Sequence, residues 1–409
     1  MTRRSLAALA VTAGACLLVS CGAGGPRRPP TTTLVPPPSI PTTTTTVTRP
    51  TKPPARNAAQ PWPTYGADNA RLRAVAAPRL RPPFRRVWTF HGRALLEFPP
   101  VVGSGGVFEE AFDGRLYALD PGSGRVRWRY NAQRCGWSSP ALAGQLLYAT
   151  FVGNGECKAT LPGGELLAFS AETGRIRWRR TIGPSESSPL VADGTIYVAD
   201  QDGYVYAFAA RTGHLRWLFD TGAPIKASAS FAYGRIYIGN YAGEMLALAA
   251  HTGRLLWRSR GHGNFYSTAS VNAGRVYVGS LDGRVYAFSA RSGEVVWSFG
   301  TGSYVYASPA VWHGLVLVGS YDRDFYALES DTGSPRWTFR ARAPISGAAS
   351  VVDGIVYFSS FDHRTYALRA TSGRLREQWP DGEYSPAVAG DGHLYLIGQG
   401  RIYALRPVR

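Results

Sequence analysis

Lysine is nearly missing from this chain. Lys52, Lys158 and Lys226 are the only three among 45 basic residues, and 27 acidic residues leave a net charge of +18. Cysteine is scarce too, with four in 409 residues. No two cysteines are adjacent and none forms Cys-x-x-Cys-His, which excludes covalent haem attachment. No histidine lies near Cys135 or Cys157 in sequence, which argues against a zinc site there. Gly-x-Ser-x-Gly, His-Glu-x-x-His and a phosphate loop are all absent, so the common hydrolase, metalloprotease and nucleotide signatures fail. The apolar run Leu6–Val19 is too short for a comfortable membrane span. A strongly basic chain suits nucleic acid, anionic lipid or an acidic polymer, and a GC-rich genome also accounts for arginine in place of lysine.

What the chain has is one phrase, repeated. Tyr117–Trp128 reads YALDPGSGRVRW and returns at Leu167–Trp178, Tyr206–Trp217, Leu246–Trp257, Tyr286–Trp297 and Tyr326–Trp337, with degraded copies at Tyr366 and Tyr403. Trp178, Trp217, Trp257, Trp297 and Trp337 stand 39 or 40 residues apart. That period with strand-like content is the mark of a β-propeller. Within a period, Asp193-Gly194, Asp202-Gly203 and Thr212-Gly213 separate four short apolar runs, the pattern of a four-stranded antiparallel blade. Eight third strands predict eight blades. The last copy ends the chain without a fourth strand, and Phe84–Phe90 carries an orphan tryptophan, Trp88. That segment is expected to close the ring by completing blade eight, which removes an exposed sheet edge. Trp379 falls six residues after Gly373 instead of four, which suggests a two-residue bulge in blade seven.

The first sixty residues differ in kind. Arg3 and Arg4 followed by the apolar run read as a signal peptide over 1–20. Leu18-Val19-Ser20-Cys21 resembles the bacterial lipoprotein box, so Cys21 is the expected lipidation site. Of the 40 residues from Gly22 to Pro61, 11 are proline and 10 threonine, a composition that buries no core and makes a stalk over 21–61. The propeller is expected over 62–409, anchored to a membrane through lipid and facing the extracytoplasmic side. Export argues against nucleic acid. It also favours a disulfide between Cys135 and Cys157, whose loops leave the same face of the blade meander.

The phrase Ala-x-x-x-Thr-Gly-x-x-x-Trp resembles the repeat of the pyrroloquinoline-quinone-like propellers, and Trp62-Pro63-Thr64-Tyr65-Gly66-Ala67-Asp68-Asn69 looks like the lead-in of that family. The resemblance covers about Trp62 to Arg409. It implies one of two classes: quinone- and calcium-dependent alcohol dehydrogenases, or non-enzymatic propellers such as the lipoprotein of the outer-membrane barrel-assembly machinery. The dehydrogenases it resembles are longer, and many carry an adjacent cysteine pair. This chain has neither that pair nor an obvious acidic cluster for calcium.

Structural positions repeat, whereas binding positions need not. Three residues before Pro100, Pro140, Pro189, Ala229, Ala269, Pro309, Ala349 and Pro386 stand Glu97, Trp137, Glu186, Lys226, Tyr266, Tyr306, Ser346 and Glu383. On the innermost strands, this uneven column is expected to ring the channel mouth as a candidate binding surface. The sequence therefore predicts a monomeric, lipid-anchored, non-catalytic propeller that binds an envelope protein or an acidic surface polymer, without a cofactor. The alternatives are a quinone binder or dehydrogenase using pyrroloquinoline quinone with calcium, and an outer-membrane assembly factor.

Overall fold

The computed structural model describes residues 62–77, 79–153, 157 and 163–408. The leader over 1–20, Cys21, the stalk to 61 and most of the segment between Gly153 and Gly163 in blade two lie outside them. All regular structure among the described residues is β, arranged as eight antiparallel blades of four strands. Blade three shows why. Leu190–Ala192, Thr195–Ala199, Tyr204–Ala209 and Leu215–Asp220 pair in sequence order. Asp193 and Gly194 both take positive φ (48° and 68°), as a two-residue hairpin turn of the right twist requires. The ring closes as expected: Phe84–His91 pairs antiparallel with Arg401–Pro407 and supplies the outer strand of blade eight.

The repeated tryptophan locks seven of the eight blades to the next. Trp217 donates its indole N–H to the carbonyl of Ala250 in blade four at 2.8 Å, and Tyr197 donates to that same carbonyl at 3.2 Å. Gly253 lies flat on the indole, where an added Cβ would meet the ring at 2.7 Å. The same lock joins Trp128 to Ala171, Trp178 to Ala210, Trp257 to Ala290, Trp297 to Ser330, Trp337 to Ala370 and, across the closure, Trp88 to Pro121.

Blade seven corrects one expectation. There is no extra bulge: Leu368 pairs with Leu375 and Ala367 with Glu377, the register that places Trp217 opposite Ala207 in blade three. Glu377 stands in the tryptophan's place, and Trp379 pairs with Thr365 two residues on. The reason is the ring closure. Blade eight takes its outer strand from Phe84–His91, so it has no Thr-Gly turn to receive an indole. It presents the Phe84 N–H instead, which hydrogen-bonds Glu377 and opposes the rise that burial causes in its pKa. Tyr357, which would share the missing carbonyl, has a buried hydroxyl without a partner.

The segment before the closing strand binds nearly every blade. Trp62, Pro63, Asn69, Ala70, Leu72 and Arg73 present their carbonyls to the N–H groups of Val102, Leu142, Phe231, Val271, Val311 and Val351 at 2.7–3.0 Å. These six residues lie at the first strands of blades one, two, four, five, six and seven. Blade three is reached by the Arg71 guanidinium, which donates to Ser188 and Pro189 carbonyls at 3.3 and 3.5 Å. Ala74–Val75 then runs parallel to Ser350–Val352. The strap thus satisfies innermost-strand N–H groups that would otherwise face the channel unpaired.

Glu109 breaks the core pattern. Val198, Ile238, Val278 and Val318 hold its place in other blades, and Glu109 is fully buried with neither carboxylate oxygen hydrogen-bonded. Burial, with Glu110 beside it, pushes its pKa well up. A carboxyl raised on folding weakens the fold as pH climbs above its unfolded value, roughly 4.3. Glu109→Leu is therefore expected to raise stability by about 1–3 kcal/mol, with more gain at pH 8 than at pH 5. Urea unfolding midpoints at the two pH values check this.

Candidate functional site

The strap closes the channel partway along and leaves a cup. Tyr65 forms its floor, with the Arg73 guanidinium 4.7 Å and the Arg71 guanidinium 5.7 Å from its ring centre. Both arginines are buried; burial and Arg73 lower the Arg71 pKa to about 9, with Tyr65 and Asp68 opposing. Above the floor, hydroxyls knit the blades together: Ser188, Ser228, Thr268 and Ser308 each accept the backbone N–H of the preceding blade at 2.9–3.0 Å. The cavity above them holds about 290 Å³.

The expected ring comes together at its mouth. Glu97, Glu186, Lys226, Tyr266, Tyr306 and Ser346 line the cavity. Trp137 and Glu383 do not; they stand at the rim. Trp137 packs on Phe112 at 6.0 Å, and Glu383 accepts from Gln399 at 2.5 Å with His363 at 3.7 Å.

The cup has two unlike sides. On one, Lys226 pairs with Glu186 at 2.8 Å, while Gln201 and Tyr266 donate to the same carboxylate at 3.0 and 3.2 Å. Glu97 receives no hydrogen bond from any described side chain. Burial and the nearby charges of Glu186 and Glu383 raise its pKa to about 7, with Lys226 opposing. The other side is aromatic. Tyr241, Tyr266, Tyr306 and Tyr321 follow one another at 6.4, 5.3 and 4.9 Å between ring centres, and Phe361 links Tyr321 to Tyr384 at 5.7 and 5.5 Å.

Sequence reasoning missed half of this wall. Gln201, Tyr241, Tyr321 and Phe361 each follow a residue of the first column by fifteen positions, at the turn after the second strand. The N–H groups of these four donate to Pro184, Pro224, Tyr304 and Pro344 carbonyls at 2.7–3.0 Å, which fixes the second column beside the first. Its unevenness was the available signal. Tyr65 had no such signal, because it lies outside the repeats.

Cys135 and Cys157 are joined by a disulfide, with Cα atoms 5.5 Å apart. Cys135 is also tied by paired backbone bonds to Val152 at 2.8 and 2.9 Å. The bridge lies by Phe112, whose carbonyl is 3.4 Å from the Cys157 sulfur, and thus beside Trp137. Reduction is expected to speed hydrogen exchange at the rim around Cys135 while leaving the global unfolding midpoint nearly unchanged, because blade two already orders Cys135. A cooperative collapse on reduction would contradict this.

Known proteins resemble the chain in sequence and in fold. The family model described as "Outer membrane protein assembly factor BamB" matches residues 112–259 and 201–407. The assembly factor BamB of Bordetella pertussis is 34% identical over 95 residues, 23% of each chain, and that of Burkholderia pseudomallei is 28% identical over 141 residues, 31% of this chain. The matched regions span 23% and 36% of those relatives' own length. Among solved structures, BamB from Moraxella catarrhalis superposes with a TM-score of 0.65 at 17% identity, covering 79% of this chain and all of that one. The quinohemoprotein alcohol dehydrogenase of Comamonas testosteroni superposes at 0.69 and 15% identity, covering 86% and 81%. At such identities the structural likeness is one of fold.

The fold is therefore shared with quinone enzymes. Among the described residues, no three of histidine, cysteine, aspartate and glutamate stand close enough to share a metal ion.

Proposed function

The chain belongs to the family of PQQ-like β-propellers described as outer membrane protein assembly factor BamB, and from that premise we propose that it is a non-catalytic docking scaffold for an envelope protein. The observation that carries the reading is the stoppered channel. The strap turns a potential conduit into a one-sided cup, lined by carboxylates and tyrosines and framed by the eight blades. A rigid concave surface rich in tyrosine suits protein recognition, since tyrosine gives contact area at low entropic cost.

Export and lipid anchoring through Cys21 belong to the same proposal. They rest on the leader, the lipobox and the Pro/Thr stalk, and would hold the propeller off an extracytoplasmic membrane face. Where the cell has an outer membrane, assembly of outer-membrane proteins is the specific form of this function that the relatives' names support.

The test is affinity purification of the tagged full-length protein from detergent-solubilised membranes. A defined envelope protein is expected to co-purify in stoichiometric amount, and Cys21→Ala is expected to move the propeller out of the membrane fraction. Absence of any partner, together with quinone-dependent dye reduction by the purified protein, would overturn the reading.

A further inference from the structure

We propose that the cup is a receptor for a guanidinium group, and that the scaffold's protein partner docks by inserting an arginine side chain into it. The inference rests on the docking function above and names the chemistry of its contact.

Four features of the cavity lead there. First, its mouth is acidic relative to the molecule. In a chain of net charge +18, Glu97 and Glu186 line the mouth with one ammonium and Glu383 stands nearby, while the Arg71 and Arg73 guanidiniums lie against the Tyr65 floor. Second, that ammonium is already committed. Lys226 neutralises Glu186, whose oxygens also accept from Gln201 and Tyr266, so Glu97 is the cavity carboxylate left with capacity. Glu97 lines the cavity and accepts nothing from described side chains. Third, the facing wall is a run of ring faces and edges from Tyr266 through Tyr306 and Tyr321 to Tyr384, on blades five to eight. A cation held between carboxylate and aromatic ring gains from both the pair and the ring quadrupole. Fourth, the cavity of about 290 Å³ has room for one long side chain.

Arginine fits better than lysine. Its planar guanidinium stacks on a tyrosine face while its fork donates to a carboxylate, and it sheds water more readily than an ammonium does. A small polyamine presents related cationic chemistry, so the experiment separates the two sources.

The pH dependence follows from the groups facing Glu97. Glu186 and Glu383 raise its proton affinity, Lys226 lowers it, and the phenols of Tyr266 and Tyr384 stay neutral. Glu97 gains its charge as pH rises through about 7, so a guanidinium is expected to bind more tightly at pH 8 than at pH 6.

The experiment is calorimetric titration of the intact protein with an acetylated, amidated pentapeptide carrying a central arginine, with its citrulline counterpart, and with spermidine. Binding of the arginine peptide alone is expected, at least tenfold weaker in Glu97→Gln and in Tyr306→Leu, and weaker at pH 6. Unchanged thermal midpoints show that the variants are folded, and Glu383→Gln supplies a second conservative test. Equal binding of the citrulline peptide, or no arginine-peptide binding at millimolar concentration, would overturn the proposal. Spermidine binding in preference to the peptide would overturn the protein source of the cation. If the membrane partner still co-purifies with Glu97→Gln and Tyr306→Leu as with wild type, the docking function stands and the cup's part in it falls.

Discussion

Arg71→Ala is expected to cost the propeller about 3–5 kcal/mol, an effect comparable to truncating a large core side chain. Arg71 is fully buried and its guanidinium donates to Ala229, Tyr65, Ser188 and Pro189 carbonyls and to the Thr64 hydroxyl. It therefore ties the strap to blades three and four at once. Truncation leaves those acceptors buried and a cavity on the propeller axis. Part of the loss is offset, because the buried cation is itself costly, as its lowered pKa shows. Lysine is not expected to rescue, since a single ammonium cannot span acceptors arranged for a planar fork. Chemical unfolding of wild type, Arg71→Ala and Arg71→Lys checks this. Both variants are expected to unfold earlier and to lose part of the cup's floor.

Trp217→Ala is expected to cost a similar amount, about 3–5 kcal/mol. The indole fills the blade-three to blade-four seam, stacks beneath Gly253 and holds the Ala250 carbonyl. Gly253→Ala attacks the lock from the other side. Its φ of +71° disfavours any side chain, and the new methyl would overlap the indole. The adjacent Leu218 is 47% exposed, so Leu218→Ala is expected to change stability by no more than about 0.5 kcal/mol. Near-equal effects at Trp217 and Leu218 would refute the lock.

The architecture was legible because each blade repeats its own punctuation. Asp-Gly and Thr-Gly turns, the Tyr-Ala-Leu strand and the spaced tryptophans together determine strand count and ring closure. The same regularity hid what lies outside it. The strap from Trp62 to Val75 has no periodicity of its own, because it borrows its hydrogen-bond partners from many different blades. Trp379 misled for a related reason. Spacing alone reads as a bulge, whereas the register shows a tryptophan dispensed with where no turn follows.

The candidate site was half legible. One uneven column along the innermost strands yielded Glu97, Glu186, Lys226, Tyr266, Tyr306 and Ser346 as cavity residues. Trp137 and Glu383 do not line the cavity: Trp137 packs on Phe112, and Glu383 accepts from Gln399. The second column, with Tyr241, Tyr321 and Phe361, becomes a wall only once the turn is known to fold back over the mouth. Charge state was not legible at all. The elevated pKa of Glu97 arises from burial and from carboxylates contributed by blades three and eight.

Site-specific photo-crosslinking in intact cells tests the central claim most directly. A photoreactive phenylalanine at Tyr304, which is 53% exposed at the cup rim and packs on Tyr306, is compared with one at Leu218 on an outer strand. The docking account expects a single envelope-protein adduct from position 304, with an arginine in the crosslinked partner peptide, and its loss when Glu97→Gln is added. Adducts from position 218 alone, or an adduct at 304 indifferent to Glu97, would contradict it.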